Sequence, residues 1–349
     1  MACDLTRAGE ERTGEKVRLP TQLDDWQQER RWTSFPIAVV YKFADDQGIF
    51  LAALITYYGF LSLFPLLLLV ASLLGFLLQN RPELRETILD TAVSQFPVIG
   101  SEVSEPAGLQ GSSLALWIGV VIALYGASRV SHATQHAMNV CWAVPRHERP
   151  NPVMARLRSS VLIGIAFVAL VGSTVLSALG SSAESYGLEL HGLISLALLA
   201  ASLTMIGLLF ALGMRHSTPR SLGLSDVLPG AVVAALGWQL MQTFGATYVG
   251  AVVNRTNDTY GVFALVLGLM GWLFAVAVIL VMAVEVNVVR AKALYPRSLL
   301  SPFTEQSELT EADERSFSDA AVSTRFKERQ DVEVTFEESA GPEADDTIR

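Results

Sequence analysis

From Phe50 to Leu78 the chain reads FLAALITYYGFLSLFPLLLLVASLLGFLL, 29 residues without one Asp, Glu, Lys or Arg. At ~1.5 Å per residue a straight helix of that length reaches about 43 Å, more than the ~30 Å hydrocarbon core of a bilayer. Such a segment must tilt, bend or protrude. Its first half carries Thr56, Tyr57, Tyr58, Ser62 and Pro65. Pro65 is the expected hinge, because its missing N–H leaves the Leu61 carbonyl without a helical partner. In lipid that carbonyl needs another donor, which Ser62 or a neighbouring helix can provide. The hydroxyls either line a polar path or satisfy the backbone opened by the proline.

Five more apolar segments follow, Leu114–Val130, Val161–Leu179, Leu193–Leu212, Val227–Val252 and Val262–Val289. The sequence therefore predicts an all-α membrane protein with six transmembrane helices, since strands of a barrel would show short alternating segments. Lys and Arg set the orientation. Arg146, Arg149, Arg156 and Arg158 lie between spans two and three, Arg215 and Arg220 between spans four and five, and Arg290, Lys292 and Arg297 after span six. These stretches are assigned to the cytoplasm, and both termini with them. The outer connection after the first span places Leu84, Ile88, Leu89, Ala92, Val93 and Phe96 on one helical face, an amphipathic segment that lies on the membrane or packs over the bundle. Residues 1–36 are expected to form an N-terminal tail, loosely ordered to about Trp26, and 37–297 the membrane domain. Residues 298–349 are expected to form an acidic, disordered tail.

Composition agrees with this class: 51% of residues are apolar, 17% are charged, and mean hydropathy is +0.40. Residues 301–349 hold fourteen acidic against five basic residues, which accounts for the whole net charge of −9. No basic face remains to make nucleic acid a partner. Cys3 and Cys141 are too few for a disulfide framework or zinc site and read as free thiols. The first 49 residues contain no apolar run, so the first span is expected to direct insertion.

Ionisable groups at membrane depth usually face a bundle interior or a wet cavity. Arg129 and Glu285 both fall toward the expected cytoplasmic ends of their spans. One reading makes Arg129 the anchor for a lipid phosphate with Glu285 as its resting counter-ion; the other makes them a structural tether. Tyr57, Tyr58, Ser62 and Gln239 complete the candidate substrate-binding set, although Gln239 beside Trp238 equally fits helix-to-helix bonding. His132 and His136 would share a helical face with Arg129, Gln135 and Asn139. Ala133 stands where a metalloprotease motif needs Glu, so no metal site is assigned. Small residues, among them Gly164, Gly172, Ala234, Gly237, Gly268 and Gly271, permit close helix approach.

Ala52-Ala53-Leu54 through Tyr57-Tyr58 to Ser62-Leu63-Phe64-Pro65, Ala127-Ser128-Arg129 with Asn139 and Trp142, Leu228-Pro229-Gly230-Ala231 with Trp238, Tyr260-Gly261, and Trp272 followed by Glu285 and Asn287 resemble the YihY/BrkB family of bacterial inner-membrane proteins. The resemblance runs from about Ile37 to Leu294, and neither tail shares in it. It implies a six-helix inner-membrane protein. Some members carry the name ribonuclease BN, generally considered a misassignment; others are tied to virulence or proposed to transport lipopolysaccharide-type lipids. Where the family pattern has Gly-Ala-Glu, this chain has Ala283-Val284-Glu285, which puts close helix contact there in question.

No Walker-type loop, dinucleotide fingerprint or nucleophile elbow is present, and the five histidines form no two-metal nuclease cluster. The expectation is therefore a non-enzymatic protein that needs no cofactor and has membrane lipids as its surroundings. Three functions compete: transport or flipping of an anionic amphiphile, a scaffold whose cytoplasmic tail recruits envelope-assembly partners, and, least favoured, a membrane-bound ribonuclease. Homo-oligomerisation is compatible with all three.

Overall fold

The computed structural model describes residues 24–77, 113–151, 153–165, 168, 172, 191–219, 221–253, 261–301 and 309–336, and among these every regular element is helical. Besides a short helix at 24–28 and a 3-10 turn at Arg146–Glu148, the helices are, in chain order, α1 Arg31–Asp45, α2 Gly48–Leu77, α3 Ser113–Cys141, α4 153–165, α5 His191–Ser217, α6 Leu224–Val253, α7 Gly261–Ala291 and α8 Glu311–Ser323. The chain divides into two compact units.

The larger unit comprises residues 47–142 and 150–287. Three of its helices contain segments long and apolar enough to cross a membrane, Leu199–Ser217, Leu224–Gly245 and Val266–Ala291, and Gly48–Leu63 adds a shorter apolar stretch. They correspond to the expected spans four, five, six and one. Leu208, Leu228, Leu236 and Leu240 are each more than half exposed. Such an apolar exterior suits lipid as solvent rather than water. α2 continues helically through residue 65, so the proline does not end it. The outer amphipathic segment at residues 84–96 and most of the expected third span lie outside the described residues.

Two helices start or stop away from their apolar runs. α3 passes Val130 and continues to Cys141, because Ser131, Ala133, Gln135, Ala137 and Met138 form a buried face. α4 begins eight residues before its apolar run. Asn151 caps it, accepting the Met154 N–H at 2.8 Å on its side chain and the Ala155 N–H at 2.9 Å on its carbonyl. Arg156 and Arg158 therefore sit on a helix instead of in a connection.

Small residues set the crossings. Gly126 of α3 lies against the backbone of Ser62 on α2, where an added Cβ would come within 2.8 Å of the Ser62 Cβ. Gly237 of α6 similarly receives Ile279 of α7. Leu63, Leu269 and Trp272 form a buried cluster. Trp238 meets Trp272 edge-on with ring centres 5.9 Å apart.

The smaller unit comprises residues 1–46, 143–149 and 288–349, and it holds a helix within the tail expected to be disordered. Residues 298–349 are not a wholly unstructured tail: α8 is a helix with a complete capping box, Thr310 accepting from the Asp313 N–H while the Asp313 carboxylate accepts from the Thr310 N–H. α1 runs through residue 36 from Arg31 to Asp45. Arg297 explains the order. It is 1% exposed, pairs with Asp313, donates to Asp45 at 2.9 Å and stacks on Phe317 at 5.4 Å. Asp24 accepts the Leu299 N–H at 2.9 Å and the Ser298 hydroxyl at 3.2 Å, and Gln27 donates to the Arg297 carbonyl at 2.6 Å. Acidic composition argued for disorder, but the central carboxylates are neutralised and bonded.

Candidate functional site

Arg129 lies 12 residues before the end of α3, about 18 Å along the helix axis. Its guanidinium bonds the Tyr125 hydroxyl one turn earlier, at 2.6 Å from Nη2 and 3.1 Å from Nε, and lies 5.0 Å over that ring. Spacing of four residues on a helix makes this pairing geometrically natural. Tyr125 is 59% exposed, and Arg129 is exposed too. On the neighbouring α2, Tyr57 is 57% exposed and packs edge-on against Tyr58 at 5.2 Å. The Tyr57–Tyr58 pair and the Arg129–Tyr125 pair thus lie on two neighbouring helices.

Other candidate residues have different surroundings. Glu285 has no exposed surface, and among the described residues no ion pair joins it to the exposed Arg129. Ser62 is buried against Gly126 and donates to the Gly59 carbonyl at 2.9 Å. Thr56 likewise donates to the Ala52 carbonyl at 2.8 Å. These hydroxyls serve their own helix. Gln239 is half-buried, and its backbone carbonyl accepts the Thr243 hydroxyl at 3.1 Å.

The polar face expected after Arg129 is split. His132 and His136 are exposed, whereas Gln135 is buried and donates to Ser159 of α4 at 3.0 Å and to the Ala155 carbonyl at 3.3 Å. Glutamine here fastens two helices.

Gly230 and Asn287 answer the question raised by Ala283. A Cβ on Gly230 would overlap the Ala283 carbonyl and the Asn287 amide. Close contact therefore exists, with the missing side chain supplied by α6 rather than α7. The Gly230 N–H donates to the Asn287 side-chain oxygen at 2.6 Å.

Sequence reasoning missed a cavity of about 480 Å³ between α4 and the end of α5, lined by Arg158, Arg215, His216 and Thr218. These arginines stood out only as orientation markers. The nearest sequence signal is the Arg215-His216-Ser217-Thr218 run directly after an apolar helix.

The arrangement of apolar helices with glycine crossings at the Leu228-Pro229-Gly230-Ala231 and Ser62 motifs agrees with the comparison to known families. The model for virulence factor BrkB matches residues 39–305. This chain belongs to the BrkB family. Among relatives, it is 25% identical over 263 residues to the putative ribonuclease-like protein YfkH of Bacillus subtilis, covering 73% of this chain and 94% of that one. It is 26% identical over 257 residues to an uncharacterized protein of Dickeya dadantii, covering 67% and 76%. No solved structure matches. Both tails extend beyond the family match, so the α8 capping box lies outside the shared region.

Proposed function

We propose that this BrkB-family protein resides in the bacterial inner membrane with both termini in the cytoplasm and binds an anionic amphiphile, which it transports or flips. The observation that carries the reading is the exposed Arg129–Tyr125 pair on α3, with Tyr57 and Tyr58 paired on the neighbouring α2. Among the described residues no carboxylate pairs with this exposed guanidinium, and such a group can offer a phosphate two parallel donors. Tyr125 adds a hydrogen-bonding group and amphipathic contact beside it. The test is translocation of a fluorescent phosphatidylglycerol in reconstituted vesicles. Arg129→Ala should reduce the rate at least roughly tenfold, with Arg129→Lys intermediate because it keeps charge but loses the fork. Equal rates for the three proteins would remove the assignment.

A scaffold reading draws support from α8, which presents an ordered surface beyond the family match. Substituting exposed α8 residues such as Glu314 should then abolish the cellular phenotype without changing translocation. A ribonuclease remains the least favoured reading despite the name of the Bacillus relative, because the five histidines compose no two-metal cluster.

A further inference from the structure

The geometry points to a second anion site, a pocket for a phosphate-class oxyanion where α4 begins and α5 ends. It uses none of the residues on the Arg129 face and stands whether or not an amphiphile is moved. The cavity of about 480 Å³ brings together the guanidinium groups of Arg158 and Arg215, the imidazole of His216 and the hydroxyls of Thr218 and Ser221. Among the described residues no carboxylate lines it. That imbalance contrasts with Arg297, whose charge meets two aspartates.

Unspent hydrogen-bonding capacity gives the pocket its direction. Arg158 Nη1, His216 Nε2 and Thr218 Oγ1 are all buried and have no hydrogen-bond partner among the described residues. Thr218 is only 3% exposed. Leaving such groups unmet is costly, and three in one cavity is the pattern of a site for a ligand with several acceptor oxygens. A phosphate ester fits, because its oxygens accept from guanidinium, imidazole and hydroxyl donors together while its charge offsets two arginines. Val161, Ile165 and Leu212 form an aliphatic wall beside the charges. That wall suits the glycerol and first methylenes of a lipid, and basic pockets between membrane helices take such headgroups. A soluble phosphate ester offers the same oxygens.

Full-length protein in phosphatidylcholine nanodiscs, with and without phosphatidylglycerol, would be analysed by native mass spectrometry for retained lipid. In parallel, sn-glycerol 1-phosphate and inorganic phosphate would be titrated by thermal shift. Wild type should retain phosphatidylglycerol over phosphatidylcholine or be stabilised by a soluble phosphate. Arg158→Gln and Arg215→Gln should each weaken that binding roughly tenfold. Retention of the lipid with no response to the soluble probes assigns a headgroup, and saturable binding of glycerol phosphate that displaces the lipid assigns a free ester. Thr218→Val, close in shape, and Arg158→Lys guard against misfolding: the former should weaken binding and the latter should largely restore it. Binding that none of these variants changes, or no binding of any phosphate probe above the phosphatidylcholine background, overturns the site.

Discussion

The Gly230 N–H donates to the Asn287 side-chain oxygen at 2.6 Å, fastening the first turns of α6 to the last turns of α7. Asn287 is 1% exposed and its amide also reaches the Met214 sulfur at 3.4 Å, so one side chain joins three helices. Gly230→Ala should lower stability by about 1–3 kcal/mol, since the new methyl overlaps backbone that cannot yield easily. Asn287→Ala should cost a similar amount, about 1–3 kcal/mol, through lost bonding at a buried site. Gly213→Ala is the control, because nothing lies within 4 Å of its added Cβ. It should be neutral or gain up to about 1 kcal/mol from helix propensity. Thermal unfolding in detergent checks the order, and an equal effect of the two glycine substitutions would refute the packing account.

Arg297 carries a different kind of obligation. Replacing Asp313 by Ala leaves a buried guanidinium with Asp45 as its remaining carboxylate partner, and breaking buried pairs costs about 3–5 kcal/mol. Limited proteolysis should then cut between residues 309 and 336 at least roughly tenfold faster than in wild type. Deleting residues 303–349 should have the same consequence for Arg297, so that truncation alone cannot separate a scaffold role from a folding role. Unchanged cleavage in the Asp313 variant would show that α8 is held by other contacts.

The apolar runs made the membrane helices legible because a bilayer demands one sustained property, and a run of about 20 apolar residues is seldom needed by a chain that folds in water. Their ends were less legible. α3 continues to Cys141 and α4 starts near Asn151 because Gln135 bonds across to Ser159, a tertiary contact that hydropathy does not register. The α8 start was written in Thr310-Glu311-Ala312-Asp313, a capping-box pattern hidden within an acidic composition. Among the site residues, Arg129 bonds Tyr125 one turn earlier, a partner that apolar segment ends do not reveal but that i, i+4 spacing on a helix does.

Tyr41 gives the smaller unit a measurable pH response. Its hydroxyl donates to the Leu299 carbonyl at 2.9 Å. Burial foremost, with the Asp24 charge behind it, pushes its ionisation above the usual tyrosine value of 10.0, against the opposing effect of Arg297. Neutral tyrosine is thus favoured in the fold. Its contribution is fully present below the unfolded value and is lost as pH rises from there through the raised folded value. Tyrosinate absorbance should show one late-titrating group in wild type that Tyr41→Phe removes. If the difference spectrum instead titrates at or below 10.0, the burial account of Tyr41 is wrong.

Ser62 separates a polar path from a packed crossing. Its hydroxyl is already engaged with the Gly59 carbonyl, and Gly126 presses on its backbone. Removing the hydroxyl with Ser62→Ala should cost no more than about 1 kcal/mol, because the Gly59 carbonyl that loses it lies within a helix that keeps its own backbone bonds. Gly126→Leu should cost more, about 1–3 kcal/mol or beyond, by forcing α2 and α3 apart. Translocation of phosphatidylglycerol should survive Ser62→Ala and fall with Gly126→Leu, in step with thermal stability. A Ser62→Ala protein that is stable yet inactive would put the hydroxyl on the path of the ligand and move the site from the lateral Arg129 face into the α2–α3 seam.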